Sequence, residues 1–157
     1  MTRLTATAVA NYQQIVVFRL GNQEFALEIG LVKEIIRLVE ITPLPRVPEA
    51  VAGMINVRGK IIPVVDLHKH LQLQRISAGA AARIVLVDAG AALVGLWVDE
   101  AVDVLRVDPD ELKSATDIMT GDNLVSIKGV FNLNERLISL LNIVDVLNIT
   151  AGLDLSK

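Results

Sequence analysis

The residues best equipped for chemistry are acidic and crowded into one stretch: Asp99, Glu100, Asp103, Asp108, Asp110 and Glu111. Such a run could hold a hard cation or supply a carboxylate pair. Their setting argues against it. Asp99 and Glu100 sit in a turn, Asp103 falls at the start of a strand, and Asp108 and Asp110 flank Pro109 at a helix start, where capping and solvation account for them. The two histidines, His68 and His70, stand two apart on a short helix and face different directions, so no zinc ligand set is read from them. Serines are scattered with no histidine near in sequence, cysteine is absent, and there is no GxxxxGK[ST], GxGxxG or GxSxG segment. A spatial triad stays open at this point, but the chain reads as a binding module. One further charged pair is of interest. Glu34 and Arg58 could meet through the planar fork of the guanidinium, or could be two solvated charges.

The elements that position these residues come in duplicate. The stretch GMINVRGKIIPVVDLHKHL (Gly53 to Leu71) lies without a gap over GVFNLNERLISLLNIVDVL (Gly129 to Leu147). Gly53 meets Gly129, Asn56 meets Asn132, and the apolar positions match while the tip Arg58-Gly59 becomes Asn134-Glu135. Upstream, FALEIGLVKEIIR (Phe25 to Arg37) lies over VGLWVDEAVDVLR (Val94 to Arg106), with Glu34 on Asp103. Two matched blocks in one order predict an internal duplication.

Short β-type runs are expected at 14–20, 23–29, 35–41, around 54–55, and at 60–65, 84–87, 93–98, 102–107, 124–130 and 137–141. Gly21-Asn22 marks a hairpin turn. Leu31 to Glu34 and Glu49 to Ala52 read as helical turns, Asp66 as the cap of a short helix through Leu71, and Asn142 as the cap of a helix to about Ile149. Pro63 within a strand implies an edge or a bulge. The fold expected is mainly β: two five-stranded barrels related by duplication, with short helices and a C-terminal helix. The first barrel is placed at about 12–76, the second at about 83–141 and the helix at about 142–149, with a disordered tail at 1–11, a C-terminal tail at 151–157 and a crossing at 77–82.

Composition bounds the function. Hydrophobic residues make up 52% and aromatics 3% of 157 residues, so the core must be aliphatic and suited to strands. A net charge of -3 leaves no basic footprint for nucleic acid or an anionic membrane. The longest apolar run, Ala89 to Val98, falls short of the ~18 residues a spanning helix needs. Arg3 and the following LTATAVA imitate a signal peptide only faintly, because threonines interrupt the apolar stretch.

VKEIIR at 32–37, the proline-rich stretch to Pro48, GMINVRGKIIPVVDL at 53–67 and LNIVDVL at 141–147 together resemble CheW, the coupling protein family of bacterial chemotaxis. The resemblance runs from about Tyr12 to Ile149. It implies SH3-like barrels, no catalytic activity and no cofactor or metal. It also implies a cytoplasmic adaptor that binds the cytoplasmic tip of chemoreceptors and the regulatory domain of the CheA histidine kinase, without nucleic-acid binding or membrane insertion. Carried residue by residue, the receptor surface falls on Ile29, Val32, Glu34, Gly53, Asn56, Arg58 and Gly59, with Val98 and Val102 across a groove. Kinase contacts fall on Leu124 and Phe131. A coupling protein of a parallel pathway, such as pilus-based motility, fits the same residues. A small acidic metal-dependent β-barrel enzyme is the contrasting class, decided by whether Asp99, Asp103 and Asp108 converge.

Overall fold

Gln13–Leu20 (β1) and Gln23–Glu28 (β2) form an antiparallel hairpin through Gly21-Asn22, with Phe18 opposite Phe25. In the computed structural model, which describes residues 12–73, 79–88, 90, 92–114, 126–151 and 153, eight further strands follow. They are Val32–Arg37 (β3), Val51–Val57 (β4), Lys60–Asp66 (β5), Arg83–Asp88 (β6), Leu93–Val98 (β7), Glu100–Val107 (β8), Ile127–Leu133 (β9) and Arg136–Leu141 (β10). Two helices, Leu67–His70 (α1) and Ile143–Thr150 (α2), follow β5 and β10. Asp66 caps α1 by accepting the His68 backbone N–H.

The strands build two five-stranded sheets, β8-β1-β2-β10-β9 (barrel I) and β3-β6-β7-β5-β4 (barrel II). Under the alignment of the duplicated blocks these two orders are the same order. The details coincide too. Parallel pairing sets Leu140 beside Ala26 and Val64 beside Gly95. The bulge that skips Lys33 on β3 reappears at Val102 on β8, and the one that skips Ala52 on β4 reappears at Lys128 on β9. Each sheet is closed by one bridge: Thr42 after β3 pairs with Met54 on β4, and Lys113 after β8 pairs with Val130 on β9. Closure removes the open edges that short aliphatic strands would otherwise present.

The sequential division at 12–76 and 83–141 is not how the strands are distributed. Barrel I takes β1 and β2 from the first repeat and β8 to β10 from the second, while barrel II takes β3 to β5 from the first and β6 and β7 from the second. The hairpins have exchanged partners, because an apolar hairpin face fits either copy of the same barrel. Each barrel keeps its own interior, with Ile15, Val17, Phe131 and Ile138 in one and Ile84, Leu86, Ile55 and Ile62 at the matching positions of the other. A larger core, including Phe18, Leu27, Val65, Leu96, Val98 and Leu141, is shared between them. Exchange and shared core make the two barrels one cooperative unit.

Four local expectations move. The helical turn expected at Leu31 to Glu34 lies earlier, at Ile29–Leu31, so β3 already starts at Val32. The turn expected at Glu49 to Ala52 yields to β4 from Val51, drawn into the ladder with Val65. Pro63 lies in the interior strand β5, at neither an edge nor a bulge. It pairs with Met54 on one side, and the ladder to β7 begins only at Val64, so its missing N–H interrupts no pairing with β7. The strand expected from Leu124 runs from Ile127, and 124 and 125 lie outside the described residues, as does part of the 77–82 crossing.

On barrel I a ladder of charges crosses four adjacent strands. Arg19 Nη1 donates to Glu100 at 2.7 Å, and Arg136 grips Glu24 with two bonds of 2.9 Å. The Arg136 hydrogen bonds hold the Glu24 carboxyl below its ordinary value of 4.5, against the opposing effect of burial. A depressed carboxylate contributes stability that is present above about pH 4.5 and is lost as the pH falls through its folded value. Glu24→Gln is therefore expected to lower stability by about 1 kcal/mol at neutral pH, since Arg136 is partly exposed. The gap between variant and wild type should shrink in urea melts carried out below that pH. A gap independent of pH would assign the effect to packing.

Candidate functional site

The β4-β5 turn builds the most distinctive polar feature of barrel II. Arg58 and Gly59 both take positive φ, 51° and 86°, the geometry of a two-residue turn that matches strand twist. Asn56 Oδ1 accepts the Gly59 N–H at 3.0 Å and fixes the turn. Arg58 is thereby aimed across to β3, where its Nη2 lies 2.5 Å and its Nη1 3.4 Å from the two Glu34 carboxylate oxygens. These hydrogen bonds hold the Glu34 carboxyl below its ordinary value. The second repeat keeps the turn, with Asn134 and Glu135 at φ 52° and 69°, but offers no cation at the Arg58 position.

Ile29 is exposed at 39%, beside exposed Gly30, and Val32 is partly buried against the core shared by the two barrels. Ile29, Val32, Glu34, Asn56, Arg58 and Gly59 therefore all reach the surface on β3, the turn before it and the β4-β5 turn. An ion pair not read from sequence, Lys128 to Glu28 at 3.2 Å, stands next to Ile29 in the chain.

Three other expected contact residues, Val98, Gly53 and Phe131, are buried. Val98 is fully buried in the shared core and supports the patch from within. Gly53 is buried, and a Cβ there would lie 2.2 Å from the Thr42 carbonyl oxygen, so its role is to let the closing bridge form. Phe131, at 1% exposure, fills the interior of barrel I and is not available to a kinase. Val102 is partly buried and packs against that same interior. Leu124 lies outside the described residues.

The acidic stretch is dispersed into separate structural tasks. Asp99 accepts the Gly21 N–H at 2.7 Å and meets His68 Nε2 at 2.9 Å. Asp103 accepts the Val104 N–H, and Asp108 caps the turn at Pro109–Glu111 through the Asp110 N–H. Among the described residues no three His, Asp or Glu side chains converge as a metal site.

The histidines find partners far off in sequence. His68 is buried and ties α1 to Asp99 and so to the β1-β2 turn. His70 Nε2 lies 3.0 Å from Asp145 Oδ2 and 3.2 Å from Ser126 Oγ, and the Ser126 hydroxyl donates to Asp145 at 2.6 Å. A hydrolytic relay needs carboxylate and hydroxyl at opposite ring nitrogens. Here both meet the same one and the serine proton points at the carboxylate, so the cluster clamps α1 to α2. No local signal could have found it, because Val144 and Val146 stand where the second repeat would carry these histidines.

No helix among the described residues is long and apolar enough to cross a membrane. The family model of the CheW-like domain matches residues 14–151. The chain is 35% identical to the chemotaxis protein CheW of Bacillus subtilis (strain 168), covering 85% of this chain and 83% of that one. It is 31% identical to the chemotaxis protein CheW of Rhizobium meliloti (strain 1021), covering 83% and 84%. Among solved structures, the scaffolding protein TtCheW from Thermoanaerobacter tengcongensis superposes with a TM-score of 0.78 at 31% identity, covering 83% of this chain and 84% of that one. With the duplicated barrels and the Glu34 to Arg58 pair already in place, these matches establish that the chain belongs to the CheW-like domain family.

Proposed function

We propose that this protein is a non-catalytic adaptor of chemotaxis signalling, which couples the cytoplasmic tips of chemoreceptors to the CheA histidine kinase. The single observation that carries the reading is the surface formed by Glu34, Arg58, Ile29 and Val32. It sets exposed Ile29 and partly buried Val32, which lead into β3, on the same stretch of chain as Glu34, whose arginine partner is held by a fixed turn, and protein interfaces combine apolar anchors with a polar rim. Family membership and the resemblance to a scaffolding protein support the same assignment. The separate structural tasks of Asp99, Asp103 and Asp108 favour it over a metal-dependent enzyme. Its place of action is the cytoplasm, at receptor arrays reached through its partners.

An adaptor raises the rate of another enzyme without carrying its chemistry. Purified protein incubated with labelled ATP should take up no phosphate and release none, yet should raise receptor-controlled autophosphorylation of the kinase. Label entering this chain from ATP alone, or no effect on the kinase, would contradict the reading.

A further inference from the structure

The duplication leaves a matched groove on each barrel, and the two differ in where they find negative charge. On barrel I a groove of about 730 Å³ is lined by Arg19, Glu24, Arg136 and Leu137 among others. On barrel II one of about 450 Å³ is lined by Asp88, Leu93, Lys60 and Ile61. The strand registers make these equivalent: Lys60 stands where Arg136 stands, Ile61 where Leu137, Asp88 where Arg19, and Leu93 where Glu24. Arg136 is met by both oxygens of Glu24. Lys60 has a leucine in that place and forms no ion pair with any described residue, and nor does Lys33, which lines the same groove. Asp88 is engaged by its own loop, accepting the Gly90 N–H at 2.8 Å. Ile61 is exposed at 41%. The barrel II groove therefore sets Ile61 and Leu93 beside two lysines and a single lining carboxylate, Asp88, and among the described residues neither lysine has the close ion-pair partner that Arg136 has on the other barrel.

We propose that this groove docks an acidic amphipathic segment of a partner protein. A carboxylate of that segment takes the place against Lys60 that Glu24 takes against Arg136, and a neighbouring apolar side chain packs on Ile61 and Leu93. Lys33 adds a second positive charge, so docking is strengthened by long-range attraction and weakened by salt. The surface does not depend on the receptor assignment, although a smaller cavity of about 120 Å³ connects its residues Lys33 and Lys60 with Glu34 and Arg58.

The chain has no cysteine and is small enough for amide-resolved NMR. The probes are a blocked synthetic peptide of alternating glutamate and leucine pairs, the same peptide with lysine for glutamate, and phosphatidylserine vesicles. The acidic peptide should shift the amides of Lys33, Lys60, Ile61 and Leu93, with an affinity that falls as salt rises. Lys33→Glu with Lys60→Glu should weaken it roughly tenfold or more. Leu93→Glu should weaken it too, because it supplies the counter-ion from within. Both lysines are exposed, so the double variant should keep the wild-type melting temperature and remain informative if Leu93→Glu folds poorly. No binding, shifts confined to another face, equal binding of the basic peptide, preference for the vesicles, or indifference to the lysine reversal would each overturn the proposal. Receptor binding by the same lysine variant, measured separately, distinguishes a failure here from a failure of the adaptor assignment.

Discussion

Gly53→Ala should destabilise the protein by about 3 kcal/mol or more, a large share of the roughly 5–15 kcal/mol that holds a domain together. Two independent causes add. The backbone at Gly53 has φ 149°, a region that side chains rarely adopt, and an added Cβ would meet the Thr42 carbonyl oxygen at 2.2 Å and its carbon at 2.8 Å. That carbonyl cannot withdraw cheaply. Thr42 and Met54 exchange two backbone hydrogen bonds of 2.8 Å, the bridge that closes barrel II. The matched position is a built-in control. At Gly129 the nearest atoms are the Leu112 side chain at 2.6 and 2.7 Å and the Lys113 carbonyl oxygen at 2.8 Å. The carbonyl there lies at 2.8 Å where that at Gly53 lies at 2.2 Å, the closer atoms belong to a side chain that can move, and Gly129 does not take positive φ, so Gly129→Ala should cost less. Urea denaturation of the two variants tests this, and a Gly53→Ala midpoint equal to that of wild type would refute the closure argument.

Arg58→Glu should leave the melting temperature nearly unchanged and weaken receptor binding roughly tenfold or more. The pair lies at the surface, with the Arg58 side chain 71% exposed, so losing it costs the fold little. What it loses is geometry and sign: two carboxylates would face each other in a rim that must dock closely. Adding Glu34→Arg restores the pair in reverse. It should recover part of the affinity if the two residues act through each other, and none if each touches the partner separately. Unfolding of Arg58→Glu, or wild-type receptor binding by it, would remove this turn from the functional site.

The duplication was legible because the apolar positions of the two blocks align without gaps, and the structure reproduces that alignment down to the skipped residues at Lys33 and Val102. The hairpin exchange was not legible. Alternating apolar residues on β1 and β2 say that one face is buried, and an interior made of Ile15 and Val17 looks the same as one made of Ile84 and Leu86. Within the site, Glu34 and Arg58 could be set together because their residue types can pair and the resemblance carried both to one surface. Val98, Gly53 and Phe131 were misplaced for one physical reason. A family pattern marks that a position matters without saying whether it matters by contact or by packing, and all three act from inside. The opposite orientation of His68 and His70 followed from helical spacing, but their partners Asp99 and Asp145 are brought near only by the tertiary fold.

The most direct measurement of the adaptor assignment is co-sedimentation of the full chain with receptor-bearing membranes and CheA kinase. The protein should pellet only when receptor is present, and kinase recovered in the pellet should rise with the amount of this chain added. Protein that stays in the supernatant with receptor-bearing membranes, or kinase that sediments equally well without it, would contradict the assignment.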